Sequence, residues 1–154
     1  MDYNSSLNNF VMYLQVGAGN GVTGIGWDVV LQTLHPSSLI SDIRVQITDS
    51  TGLGGFGLVP GLADQSPGGP SSYDSDGQIL KLADYSIPHV IAMGDGLIRL
   101  EFFDNYDDAV GVADGQWVSG SLFLQTYVPI PNTSAVSLLA IAGIAGLGRR
   151  RPRF

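Results

Sequence analysis

Apolar residues alternate with polar or small residues along several short segments, and this period of two constrains the fold more than any other feature. The segments GIGWDVVLQ (24–32), LISDIRVQIT (39–48) and LIRLEFF (97–103) have this pattern. Such alternation is typical of a strand that is buried on one side. The residues expected to face a core are Ile25, Trp27, Val29, Leu31, Ile43, Val45, Ile47, Ile98, Leu100 and Phe102.

Further strands are predicted at 10–16, 79–83 and 117–127, the last with Val118, Leu122 and Leu124 on one side. Glycine, serine, proline and aspartate dominate residues 49–78, which predicts a long loop with at most a short strand at 56–59. No capped helical pattern occurs before residue 132. The sequence therefore predicts an all-β, antiparallel β-sandwich of five to eight strands, with a jelly roll as one arrangement, followed by one C-terminal transmembrane-type helix.

Charge is segregated along the chain of 154 residues, which fits one domain with a C-terminal extension. Four of the seven basic residues lie in the last six positions, and all fourteen acids precede residue 115. Residues 1–131 thus carry three basic residues against fourteen acids, a net charge of −11. Such a surface repels phosphate backbones, so we expect no nucleic-acid partner. With no cysteine in the chain, disulfides and thiolate metal sites are excluded.

The C-terminal segment VPIPNTSAVSLLAIAGIAGLGRRRPRF (128–154) has no ionised residue until its arginines. Residues 135–148 predict an apolar helix about 21 Å long, and 18 residues separate Pro131 from the first arginine, counting Pro131 itself. That is a short but feasible span for a bilayer core of about 30 Å. The apolar residues of this membrane helix are Ala135, Leu138, Leu139, Ile141, Ile144 and Leu147. The cationic residues expected on the cytoplasmic side are Arg149, Arg150, Arg151 and Arg153.

A Pro-x-Pro motif (Val128, Pro129, Pro131), a polar spacer, an apolar helix and a terminal arginine cluster together resemble the PEP-CTERM sorting signal. The resemblance covers residues 128–154. It implies an exported bacterial protein, held in the inner membrane by its tail and then cut by exosortase, a membrane protease-transpeptidase. It also implies three partners: exosortase, the lipid bilayer and exopolysaccharide. Ile130 stands where the family has glutamate, and the first ten residues have no signal-peptide pattern, so we expect an export signal upstream.

The body, residues 1–127, resembles the β-sandwich ectodomains found ahead of this tail. The likeness is carried by VTGIGWDVVLQT, LIRLEFFD and VADGQWVSGSLFLQ. The closing DGQWVSGSLFL is similar to the last strands of the proprotein convertase P domain, which is a jelly roll. These resemblances imply two units, an ectodomain at 1–127 and a sorting signal at 128–154.

One acidic loop is a candidate calcium site. DNYDDAVGVADG (104–115) gathers the carboxylates of Asp104, Asp107, Asp108 and Asp114, and hard oxygen ligands on a loop suit Ca²⁺. The alternative is acidic turn chemistry, in which aspartates bond their own backbone. DSDG (74–77) is a shorter acidic segment that allows the same two interpretations, a calcium site or an acidic turn. No other cofactor is expected: GLGGFG (52–57) matches a dinucleotide fingerprint, but the residues after it do not predict the required helix.

Two further patterns bear on function. Trp117 is a candidate for stacking on sugars, in a row with Phe123 and Tyr127, whereas Trp27 is expected in the core. Arg99 and Glu101 alternate with core residues and predict a solvated ion pair worth at most ~1 kcal/mol.

The sequence predicts an exported, non-enzymatic protein of the cell envelope or extracellular matrix. The first alternative is a carbohydrate-binding module at the cell surface that uses surface aromatics and calcium. The second is a secreted hydrolase, which requires aspartates, Glu101 and the histidines His35 and His89 to converge in a cleft.

Overall fold

The structure, a computed structural model, describes residues 9–106, 108 and 112–129, and these residues form two antiparallel sheets. The strands are β1 (Phe10–Gln15), β2 (Gly21–Thr33), β3 (Ile43–Asp49), β4 (Gly55–Leu58), β5 (Ser71–Asp74), β6 (Leu80–Lys81), β7 (Val90–Ile91), β8 (Leu97–Asp104) and β9 (Gly115–Tyr127). Short 3₁₀ turns lie at Ile40–Asp42 and Leu82–Tyr85. The prediction of an all-β, antiparallel protein is confirmed.

The two sheets differ in how their strands are ordered. The first sheet has the order β1-β8-β3-β4. In the second, the long strand β2 is central: β9 pairs along one side of it, and β5, β6 and β7 pair in succession along the other. The β2–β9 pairing extends from Gly21 opposite Tyr127 to Thr33 opposite Gly115. Consequently β1 and β9 are edge strands, one in each sheet.

The inner rows of the two sheets share a core, as the alternation predicted. One cluster combines Val22 and Ile25 of β2 with Ile47, Ile98 and Leu100 of the first sheet. A second cluster forms at the other end of β2 from Val29, Leu31, Ile40 and Ile43. Trp27 packs against both clusters, which agrees with its predicted place in the core. Each large apolar side chain buried in this way contributes roughly 1.5–3 kcal/mol.

Two strands were not predicted. The strand β5 lies inside the segment 49–78 that was expected to be a loop, and β7 has only two residues. The sequence of β5, SSYD, has no apolar alternation that would predict a strand. This segment is an edge strand held by its pairing with β2. The predicted short strand near 56–59 corresponds to β4.

A β-bulge in β9 changes which residues face the core. Ser119 lies opposite Val30 but Trp117 lies opposite Leu31, so Val118 is an extra residue without a partner position on β2. An extra residue shifts the alternation by one. Trp117 therefore turns to the same side as Leu122, and Val118 is 43% exposed. The prediction that Val118 shares the inner face was wrong.

The ion pair of Arg99 and Glu101 is buried, which corrects the expectation of an exposed pair. Arg99 Nη1 lies 2.7 Å from Glu101 Oε2, and the two side chains are 9% and 2% exposed. Asn9 Nδ2 also donates to Glu101 Oε1 at 2.6 Å. Glu101 sits in the middle of β8 between its register partners Val11 and Gln46. A buried charge pair depends on both partners, so its loss costs much more than that of a surface pair.

We expect Glu101→Leu to lower the free energy of unfolding by about 3 kcal/mol or more, because it leaves the Arg99 guanidinium buried beside an apolar group. The double variant Arg99→Met with Glu101→Leu removes both charges and should lose clearly less than the single variant. Urea denaturation of the wild-type protein, the single variants Glu101→Leu and Arg99→Met, and the double variant measures this. Losses in the double variant that equal the sum of the two single losses would show that the charges are not coupled.

Gly120 is required where β9 lies close against β2, opposite Val29 and next to the bulge. Its φ is +125°, and a Cβ there would lie 2.3 Å from the Asp28 carbonyl oxygen and 2.5 Å from Val29 Cα. We expect Gly120→Ala to destabilise the fold by about 2 kcal/mol or more, because both the backbone conformation and the approach to β2 are disturbed. Gly94→Ala is the matched control, since a Cβ at Gly94 meets nothing within 4 Å. Thermal unfolding of both variants compares them; equal stability would argue against the close approach.

Candidate functional site

An apolar cleft opens between the two edge strands, β1 of the first sheet and β9 of the second. Its volume is about 710 Å³. One wall is formed by the inner row of β1 and the other by the inner row of β9, with residues of β2 and β8 at the floor. The apolar side chains that line it include Phe10, Met12, Leu14, Val29, Leu100, Phe102, Trp117, Leu122 and Leu124.

The cleft exists because the two sheets do not join at this side. Among the described residues, β1 pairs only with β8 and β9 pairs only with β2. Met12 lies opposite Leu100 in the register and so belongs to the inner row, yet it is 42% exposed. Phe10, opposite Phe102, is 63% exposed. A contiguous apolar surface of this kind usually marks a binding site.

Aromatic rings line one end of the cleft. Phe102 and Trp117 meet edge to face, with ring centroids 5.0 Å apart and an interplanar angle of 83°. Phe10 also packs against Phe102, with ring centroids 5.9 Å apart. The ring of Trp117 is thus half-buried in the cleft wall and lies on the opposite face of β9 from Phe123. The expected surface row of Trp117, Phe123 and Tyr127 is therefore not brought together.

Acidic side chains gather at this same end. Asp104 and Asp114 belong to the cleft lining. Burial raises the pKa of Asp104 to about 6, and the like charges of Asp42, Asp114 and Asp108 act in the same direction. Burial also raises the pKa of Asp42. We call this the acidic end of the cleft; it comprises Asp42, Asp104, Asp108 and Asp114. It carries unfavourable negative potential that a cation would relieve.

Two aspartates of the acidic loop accept hydrogen bonds from backbone N–H groups of the same loop. Asp104 Oδ1 accepts from the Tyr106 backbone N–H at 3.2 Å, and Asp114 Oδ2 accepts from the Asp108 N–H at 2.7 Å. Asp107, the remaining predicted calcium ligand, lies outside the described residues. In the described part of the chain, no group of three histidine, aspartate or glutamate side chains is placed to hold a metal ion. In DSDG, Asp74 Oδ1 accepts from the Asp76 N–H at 2.7 Å, again as in an acidic turn.

The remaining candidate residues lie apart from the cleft. His35 follows β2, where its Nδ1 accepts from the Ser37 N–H at 3.3 Å. His89 precedes β7, and its ring lies 5.8 Å from that of Tyr127. Glu101 points to the opposite face of β8 from Leu100 and Phe102. In GLGGFG, β4 begins at Gly55, and a turn follows the strand. This agrees with the prediction that the residues after the glycine motif do not form a helix.

The predicted sorting tail begins directly after β9. Val128 and Pro129 are exposed at the end of this strand. Pro131, the apolar residues Ala135, Leu138, Leu139, Ile141, Ile144 and Leu147, and the arginines Arg149, Arg150, Arg151 and Arg153 lie outside the described residues. Within the described ranges, there is no helix with the length and apolar character needed to cross a bilayer.

No protein family, curated protein or solved structure matches this chain. The cleft was also missed by the sequence analysis. A strand at 10–16 was predicted, but nothing in the pattern indicated that β1 would be an edge strand whose inner row stays open.

A pH dependence follows from Asp104. Its folded pKa of about 6 lies above the usual value of 3.8, so the folded state binds the proton more tightly than the unfolded state and loses stability as pH rises from about 4 to above 6. In a chain ending at residue 131, we expect Asp104→Asn to raise the unfolding free energy by about 1 kcal/mol at pH 7.5, allowing for solvent screening of this half-buried group. At pH 3.5 the gain should vanish.

Urea denaturation at the two pH values measures this difference. The truncated chain retains all nine strands and both core clusters. Asp84→Asn is the control, because Asp84 is exposed in the 3₁₀ turn after β6 and its replacement should change stability little at either pH. An equal gain for Asp104→Asn at both pH values would contradict the proposed cause.

Proposed function

We propose that the protein is an exported, non-enzymatic component of the bacterial cell envelope or extracellular matrix, and that residues 128–154 are its sorting and anchoring signal. The observation that carries this proposal is the order of features after the last strand. A completed β body ends at Tyr127, an exposed Val128-Pro129 follows, and the sequence then runs through an uncharged apolar segment into four arginines.

The position of the motif supports processing by a membrane protease. A protease needs its recognition residues outside the folded body, and Val128 and Pro129 meet this requirement at the tip of an edge strand. An exosortase-type protease-transpeptidase is the partner that the Pro-x-Pro motif favours. The apolar segment would enter the bilayer, and the arginines would hold its end on the cytoplasmic side.

The body supports a location outside the cytoplasm. Its net charge of −11 favours solubility once it is released. We take the two packed sheets as a β-sandwich ectodomain, and the jelly roll remains the finer prediction for it.

The carbohydrate-binding alternative is less well supported by the site. Sugar stacking needs an open aromatic face, whereas Trp117 packs edge to face on Phe102 and the rest of the lining is largely aliphatic. Polar residues such as Ser119 and Ser121 also line the cleft, so a glycan array with Trp117→Ala as the comparison tests this alternative directly.

The sorting role is tested by expressing the chain behind a cleavable export signal in a bacterium that has exosortase and in a strain that lacks it. Without exosortase, we expect the protein in the inner-membrane fraction, resistant to alkaline extraction, because the apolar segment is embedded in lipid. With exosortase, a smaller form lacking the tail should leave the membrane. Mass spectrometry of that form locates the cut.

The double variant Pro129→Ala with Pro131→Ala should stay in the membrane at full length, while Pro152→Ala, a proline of the same tail outside the motif, should be processed normally. Full-length protein that is extracted as a soluble species from both strains would contradict the anchoring role. Membrane retention without processing in either strain would contradict only the role of exosortase, and Ile130 would then be the residue to exchange for glutamate.

A further inference from the structure

The cleft has an apolar lining that needs a partner, and the chain itself contains a segment of matching character. Residues 135–148 are uncharged and rich in alanine, leucine, isoleucine and glycine. The cleft walls are built from side chains of the same kind, including Met12, Leu14 and Leu122. Removing such surfaces from water stabilises their contact by roughly 25 cal/mol per Å².

The tail starts at one end of this cleft. Trp117 of β9 contacts Phe102, the register partner of Phe10, so the N-terminal ends of β9 and β1 lie together. Tyr127, the last residue of β9, therefore lies toward the opposite end. A segment that follows Tyr127 and reverses its direction would return along the cleft toward Trp117.

The lengths agree with this path. The inner residues of β9 from Leu124 to Trp117 span about 23 Å at 3.3 Å per residue. Residues 135–148 measure about 21 Å as a helix. Residues 128–134, with two prolines, are long enough for a connection that would turn the chain back. The first arginine would then emerge just beyond Trp117.

The charges agree as well. Asp104 and Asp114 line the cleft at the Trp117 end, and the charges of Asp42 and Asp108 act on Asp104. Four of the seven basic residues of the whole chain stand directly after the apolar segment. Arginine forms paired hydrogen bonds with carboxylates, so an acidic group at this place suits it.

We propose that, when no bilayer is present, residues 135–148 dock in the cleft between β1 and β9 of the same chain, with the arginines 149–153 against the acidic end. The cleft thus shelters the sorting segment until the membrane takes it up. This inference goes beyond the sorting role and requires neither export nor cleavage. The bilayer and the cleft compete for one segment, which occupies only one of them at a time.

Methionine positions offer a test in the full chain. The chain has three methionines, Met1, Met12 and Met93, and none in the tail. Met12 lines the cleft, whereas Met93 is 50% exposed outside it. Replacing methionine with the isosteric photoreactive analogue photo-methionine places one probe in the cleft. After irradiation in buffer without detergent, digestion and mass spectrometry identify the peptides that each probe has reached.

We expect cross-links between position 12 and peptides from 135–148. They should persist in Met93→Leu and disappear in Met12→Leu. Irradiation of a mixture of ¹⁵N-labelled and unlabelled chains should give products within one chain only. Vesicles containing anionic lipid should lower the yield, because the bilayer removes the segment from the cleft.

A second measurement reports on the acidic end. Arginines beside Asp104 stabilise its carboxylate, so its pKa should be lower in the full chain than in a chain ending at residue 131. NMR titration of the aspartate carboxyl carbons compares the two proteins.

Three outcomes would overturn the proposal: cross-links from position 12 that never reach the tail, cross-links that join different chains, or an Asp104 titration that is the same with and without the tail. The second outcome would instead indicate exchange of tails between copies. None of them bears on the fractionation experiment, so the sorting role stands or fails separately.

Discussion

The pairing of β9 with β2 determines where the cleft lies and where the tail begins. It covers the full length of β2, and it leaves β9 as the outer strand of its sheet. The bulge at Val118 then turns Trp117 inward onto Phe102. Because β1 is the outer strand of the other sheet and does not pair with β9 in the described structure, the core remains open along this side. The same pairing places the start of the tail at one end of the cleft and the acidic end at the other.

Period-two alternation was sufficient to predict the class of fold and most of the core. Ile43, Val45 and Ile47 are buried as expected, because a strand in an antiparallel sheet presents alternate side chains to opposite faces. The alternation says which residues share a face, but not whether the second face is covered. Arg99 and Glu101 were therefore predicted to be exposed. In the structure they are buried as a pair on β8, which lies between β1 and β3.

The candidate site was harder to predict, because it depends on strand order and on one irregularity. An extra residue in a strand reverses the alternation beyond it, and nothing in QWVSGS distinguishes a regular strand from one with a bulge at Val118. Nor does the segment 10–16 show that it forms an edge. Short strands such as β5 and β7 exist only through their pairing with β2, so local sequence carries little signal for them.

The acidic end links the two hypotheses about cations. Burying Asp104 among like charges is unfavourable, and the raised pKa of this carboxyl expresses that cost. A calcium ion or the guanidinium groups of the tail would each offset it, and they would compete for the same carboxylates. Calcium takes six to eight oxygen ligands, whereas an arginine needs only one carboxylate for a pair of hydrogen bonds, so the carboxylates at this end suit guanidinium donors better. On this argument, a cleft that holds its own tail needs no metal ion, and a body that has lost the tail is the form in which calcium binding should be sought.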